Sequence, residues 1–131
     1  MKKTKGFTLV ELVIVIVIVG ILSIVAVPIY RGYTRKAMAS EGRALLGTIQ
    51  TAQKVYYTEF ATFATVGGTN FTTIIDVDAR PNKYFRTFGV TGNGTEWSAI
   101  TSGVDAASGI SITIKGSRTG QPIWIDAGLN N

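Results

Sequence analysis

The apolar positions of this chain are concentrated at one end. From Leu12 to Tyr30 no residue carries a charge, and Val and Ile dominate the run. A helix of about 20 such residues spans the roughly 30 Å hydrocarbon core of a bilayer. Val and Ile favour strands in water. In lipid, however, an open sheet edge leaves its backbone unsatisfied, whereas a helix satisfies its own. The run is therefore expected to be a helix in a membrane or an equally dry place. One carboxylate, Glu11, stands at its start, where burying an unpaired charge is costly.

After Pro28 the pattern changes. Arg31, Arg35 and Lys36 mark the exit from the dry segment, and Tyr30 and Tyr33 suit its boundary. Met38, Leu45, Ile49, Ala52 and Tyr56 then share one helical face, with Lys36, Arg43, Gln50 and Lys54 as a polar stripe opposite. Ala37, Ala39, Ala44 and Ala52 favour helix, while Gly32, Gly42 and Gly47 weaken it locally. One long helix is expected from residue 7 to about residue 60, its second half amphipathic and covering a sheet. Gly20 and Pro28 are its weak points. Tyr57 to Phe63 is an aromatic end, and Val66-Gly67-Gly68-Thr69-Asn70 is a break. Phe71 to Val77 reads as loop with a short helix or strand.

Strands are expected at Tyr84–Thr91, Glu96–Ser102, Ile110–Ile114 and Ile123–Ile125. Asn93-Gly94 between the first two is a hairpin signal, because such residues tolerate positive φ. Hairpin links argue for antiparallel pairing. The fold class is thus α+β: a long N-terminal α-helix packed on a small antiparallel β-sheet of about four strands.

At 131 residues the chain is long enough for one domain plus the helix. It has no Cys and no His, which removes disulfides, the usual transition-metal ligands and two common catalytic groups. No nucleophile–base pair or phosphate-cradling loop is present. The reading is a non-enzyme without cofactor or metal.

The first eleven residues carry a resemblance. Lys2-Lys3-Thr4-Lys5-Gly6 followed by Phe7-Thr8-Leu9-Val10-Glu11 resembles the class III signal of type IV pilins and type II secretion pseudopilins. In that family a prepilin peptidase cuts after the Gly and methylates the new N-terminal Phe. The resemblance covers about residues 1 to 35 and implies three segments. Residues 1–6 are a leader, 7–30 a transmembrane and filament-core half-helix, and 31–131 a globular domain. It implies Gly6 and Phe7 as processing residues, and Glu11 with Phe7 as the assembly pair. Gly20 and Pro28 fall where the family's helix loosens in filaments. The implied function is a structural subunit of a type IV pilus, for motility, adhesion or DNA uptake. The precursor waits in the inner membrane, and the filament stands on the cell surface. The implied partners are copies of the chain itself, the peptidase, the inner-membrane assembly machinery and the membrane.

Cleavage there removes Lys2, Lys3 and Lys5 from thirteen basic residues; ten then face eight acidic ones, and the net charge falls from +5 to +2. That balance is weak support for nucleic acid, and the three lysines fit a positive-inside topology signal. One alternative is a secretion pseudopilin. The family's major pseudopilins carry an acidic calcium loop near the C-terminus, whereas here Ile123 to Asn131 holds one carboxylate, Asp126. Another is a DNA-binding minor pilin, which would need Lys83, Arg86, Lys115 and Arg118 to form a basic stripe. Many pilins also close a C-terminal loop with a disulfide; here packing and turns alone are expected to hold it.

Weaker features have plain explanations. Asp76 and Asp78 suit solvated loop charges better than a calcium site. Asn70-Phe71-Thr72 and Asn93-Gly94-Thr95 match the glycosylation sequon, which chance and turn chemistry account for. Tyr30, Tyr33, Tyr56, Tyr57, Phe60 and Phe63 read as interface anchors and core packing.

Processing is directly testable. Mass spectrometry of the mature protein is expected to show Phe7 as the first residue, carrying one methyl group. Gly6→Val is expected to leave the precursor uncut in the membrane. A mature chain beginning at Met1 would contradict both.

Overall fold

The computed structural model describes residues 6–66 and 74–129. Two compact units are present, Met1–Tyr33 and Thr34–Asn131. A single helix, α1, runs Leu9–Phe60. In the first unit its side chains are exposed from Leu9 through Arg31, and the helix continues through Gly20 and Pro28. The Ser23 hydroxyl donates to the Val19 carbonyl at 2.7 Å, a local bond that satisfies the polar side chain within its own helix.

In the second unit, four antiparallel strands follow: β1 Phe88–Gly92, β2 Glu96–Ser102, β3 Ser111–Ser117 and β4 Ile123–Ala127, in the order β1-β2-β3-β4. Their inner face is the core. Phe88, Val90, Trp97, Ala99, Ile112 and Ile114 are buried there together with Ala39, Leu45, Leu46 and Ile49 of α1. The architecture is α+β, as expected.

The helix face differs in detail from the expected one. The buried row is Ala39, Gly42, Leu46, Ile49 and Gln53, with Leu45 beside it. Met38, Ala52 and Tyr56 of the expected face are only partly buried. A Cβ on Gly42 would sit 2.8 Å from Ile112 Cδ1 and 2.9 Å from Phe85 Cδ1. The absent side chain is what lets helix and sheet meet at that point.

Gln53 is fully buried and performs a backbone's task. Its Nε2 donates to the Ala64 carbonyl at 2.8 Å, and its Oε1 accepts from the Ala64 N–H at 2.9 Å. α1 ends with Ala61 in the left-handed region at φ 55, its N–H on the Tyr57 carbonyl. The chain then runs back along β1. Val66 and Val90 exchange both backbone bonds, and the Thr65 hydroxyl and Gly92 backbone do the same. The break expected at Gly67–Asn70, the sequon at Asn70 and the first three residues of the Phe71–Val77 segment lie outside the described residues, while Ile74 and Ile75 are helical.

Three sequence expectations are corrected. The first strand begins at Phe88, not Tyr84, because Glu41 Oε1 takes the N–H groups of Tyr84 and Phe85 at 2.7 and 3.0 Å. Donors held by a side chain cannot enter a ladder. The Asn93-Gly94 turn does not use positive φ, which among the described residues occurs only at Ala61, Asp76, Asp105, Gly109 and Gly128. Instead Asn93 Oδ1 accepts from the N–H of Thr95 and of Glu96, both at 2.8 Å, and from the Thr95 hydroxyl. This is side-chain turn chemistry. Finally, packing and turns are not alone in holding the C-terminal segment. Arg43 pairs with Asp126 of β4, and Arg35 donates from Nε and Nη2 to the Gly128 carbonyl at 3.0 and 2.7 Å.

Replacing Gln53 by Leu would keep the volume and strand both backbone groups of Ala64. Each unsatisfied buried group costs roughly 1–3 kcal/mol. We expect a loss of about 2–4 kcal/mol, measured by tryptophan fluorescence in denaturant on the detergent-solubilised chain. A loss under about 0.5 kcal/mol, the usual range for surface changes, would contradict the assignment.

Candidate assembly site

The helix start is built from four neighbouring residues. Gly6 and Phe7 are exposed, and a Cβ added at Gly6 would have no heavy atom within 4 Å. Thr8 precedes the first helical residue. Its N–H and hydroxyl both donate to Glu11 Oε2, at 2.8 and 2.7 Å. In return the Glu11 N–H donates to Thr8 Oγ1 at 3.3 Å. This is a reciprocal capping box, which satisfies donors that a helix N-terminus otherwise leaves open. The carboxylate also lies at the positive end of the helix dipole.

Sequence reasoning passes over Thr8 as a working residue, although Thr8-Leu9-Val10-Glu11 displays the signal: a hydroxyl residue with a glutamate three positions later. Both Thr8 donors fall on Oε2. No hydrogen bond to Oε1 is formed among the described residues. Phe7 is 77% exposed, and the apolar side chains from Leu9 to Tyr30 follow it uncovered in the single chain. The helix is long and apolar enough to cross a membrane.

Gly6, Phe7, Thr8 and Glu11 therefore stand together. The other candidates fall elsewhere. Gly20 and Pro28 lie within continuous helix. Both oxygens of Asp78 are held by Arg80 through its N–H, Nε and Nη2 at 2.8–3.0 Å. The Arg80 side-chain hydrogen bonds, more than any other cause, pull the Asp78 pKa down to about 2. Among the described residues no acidic cluster suits a metal ion. Asp126 is committed to Arg43.

The four basic residues do not form one stripe. Arg86 lies before the Phe88 end of β1 and faces Asp105 at 3.8 Å, and Lys83 stands over the Tyr84 ring at 4.9 Å. Lys115 and Arg118 lie at the other end of the sheet, where Lys115 pairs with Ser98, and Ser98 with Thr91. The aromatic residues near the helix end pack on one another. Tyr57 and Phe63 have centroids 4.6 Å apart, and Phe63 lies 6.4 Å from Trp97.

Comparison with known proteins bears on the same segment. The model of the prokaryotic N-terminal methylation motif matches residues 1–27. The type IV major pilin protein PilE1 of Neisseria gonorrhoeae is 53% identical over 53 residues, which are 40% of this chain and 32% of that protein. The fimbrial protein EcpC of Eikenella corrodens is 46% identical over 55 residues, 42% of this chain and 36% of the relative. The type IV major pilin protein PilA of Myxococcus xanthus is 39% identical over 57 residues, 44% and 26% of the two chains. The matched part thus spans between 26% and 36% of these relatives' length. No solved structure gives a significant match. Residues 1–27 thus match the prokaryotic N-terminal methylation motif, and about two fifths of the chain is similar in sequence to proteins named type IV major pilin or fimbrial protein.

Proposed function

We propose that the chain is a structural subunit of a type IV pilus, polymerising through the N-terminal part of α1. The observation that carries this reading is the Glu11 carboxylate. It stands at the head of an uncharged apolar run, with Oε2 satisfied by Thr8 and Oε1 without a hydrogen bond among the described residues. A prepilin peptidase would cut between Gly6 and Phe7 and methylate the new amine. Before assembly the apolar half-helix would sit in the inner membrane; afterwards it would line a filament core with identical helices. Apolar burial and dispersion packing would hold that core. Loosening near Gly20 and Pro28 belongs to that packed state, where Pro28 supplies no backbone donor.

The assembly step follows from solvation. An unpaired carboxylate in a dry core costs several kcal/mol, and so does an unpaired ammonium. If the incoming subunit's Phe7 amine meets the free Oε1 of a neighbour's Glu11, both charges are compensated and the axial register is set. Two observations favour a pilus over the rival readings. The single C-terminal carboxylate, Asp126, is held by Arg43, which weakens the case for a pseudopilin's calcium loop. The split of Lys83 and Arg86 from Lys115 and Arg118 weakens the case for a DNA-binding stripe.

The test separates pairing from capping. Glu11→Val is expected to insert and be cut normally, yet to yield no filaments when it is the only subunit expressed. Glu11→Asp, one methylene short, is expected to give fewer. Thr8→Val removes only a helix cap, worth about 1 kcal/mol, and is expected to leave filament number near normal. Sheared filaments counted by electron microscopy provide the readout. Normal filaments from Glu11→Val would contradict the mechanism.

A further inference from the structure

The second unit contains a cleft of about 410 Å³ between the last turns of α1 and the loop joining β3 to β4. Its volume is in the range of small-ligand sites, roughly 300–1,000 Å³. Gln50, Lys54 and Tyr57 enter it from α1, Trp97 from β2, and Arg118 and Gln121 from the loop. The spacing of the three helical residues places them on one face.

The chemistry of this lining is selective. Among the described residues its only charged groups are Lys54 and Arg118, both exposed and neither in an ion pair. No carboxylate lines it. Arg118 is anchored at its base, because its N–H donates to the Thr95 carbonyl at 3.0 Å. Two primary amides supply paired donors and acceptors of the kind that vicinal hydroxyls require. Tyr57 is the half-buried aromatic residue of the lining, and buried Phe63 and Trp97 back it. Trp97 cannot retreat on its Gly116 side, since even a Cβ there would lie 2.5 Å from Nε1.

We propose that this cleft binds an acidic saccharide unit, a sugar ring bearing a carboxylate. The ring's C–H face would rest on Tyr57, whose ring is held from behind by Phe63. Its hydroxyls would bond Gln50 and Gln121, and its carboxylate would lie between Lys54 and Arg118. Arg suits a carboxylate through paired N–H donors. An adjoining cleft of about 460 Å³ shares Trp97 and Gln121, but it holds Glu96 as well as Lys115. The anionic group therefore belongs in the first cleft. Nucleic acid fits less well, because it needs a basic groove that follows a backbone, and Lys83 and Arg86 lie at the far end of the sheet.

The experiment uses the full chain in detergent micelles, with Trp124→Phe so that Trp97 is the sole tryptophan. D-glucuronate and D-glucose are titrated separately, and fluorescence is followed. A saturable change is expected with glucuronate and none with glucose. Lys54→Gln and Arg118→Gln should each weaken glucuronate binding about tenfold, the loss of one charge-assisted bond, with the circular dichroism spectrum retained. Lys83→Gln should change nothing. An equal response to both sugars, no saturable response to glucuronate, or binding unaltered in the Lys54→Gln/Arg118→Gln double variant would overturn the proposal. An oligo(dT) strand that binds in place of glucuronate and depends on the same two cations would assign the cleft to nucleic acid and also overturn it.

Discussion

Everything in this molecule depends on where one uncharged stretch can be kept dry. Residues 12–30 are apolar and exposed in the single chain, so they require lipid or other protein around them. An α-helix is the backbone state that tolerates this, because its hydrogen bonds close within the segment. Glu11 is the charge at the N-terminal edge of that stretch, and Thr8 satisfies one of its two oxygens. In the proposed assembly, the remaining oxygen is where a neighbouring subunit's amine would be received.

From Thr34 onward the same helix is governed by different physics. Its buried row recurs every three or four residues from Ala39 to Gln53. Gly42 permits close approach to Ile112 and Phe85, and Gln53 supplies the hydrogen bonds that a neighbouring strand would have made to Ala64. Without a disulfide, the last strand is strapped to the helix by Arg43 and Arg35. The Arg43 pair is partly exposed, so it contributes modestly. The two bonds from Arg35 to Gly128 fix position more than they add energy.

Much of this is legible in the amino-acid sequence alone. The apolar run, the long helix and the four strands follow from the apolar pattern and its periodicities, and the proposed assembly residues follow from a fixed motif. Features of three kinds are not legible there. The helix seam is displaced from the expected face because its central residues are Ala39, Gly42 and Gln53, small or polar groups that a search for large apolar residues passes over. Tyr84 and Phe85 have strand composition, but Glu41 takes their backbone donors across a separation of more than forty residues. Arg35 and Arg43 look like an exit signal and a polar stripe; only the fold shows that Gly128 and Asp126 lie beside them. The Thr8 cap is the exception, since its signal is entirely local.

The central claim is that the sheet and the second part of α1 complete their own core, so that the apolar run is left for other partners. The direct measurement is equilibrium unfolding of a fragment beginning at Arg31, followed by tryptophan fluorescence and circular dichroism, with its mass in solution determined by light scattering. The account predicts a soluble monomer whose two probes report one cooperative transition without any disulfide. A fragment that aggregates, or that loses helix and tryptophan burial in separate steps, would show that the core is incomplete without the apolar run.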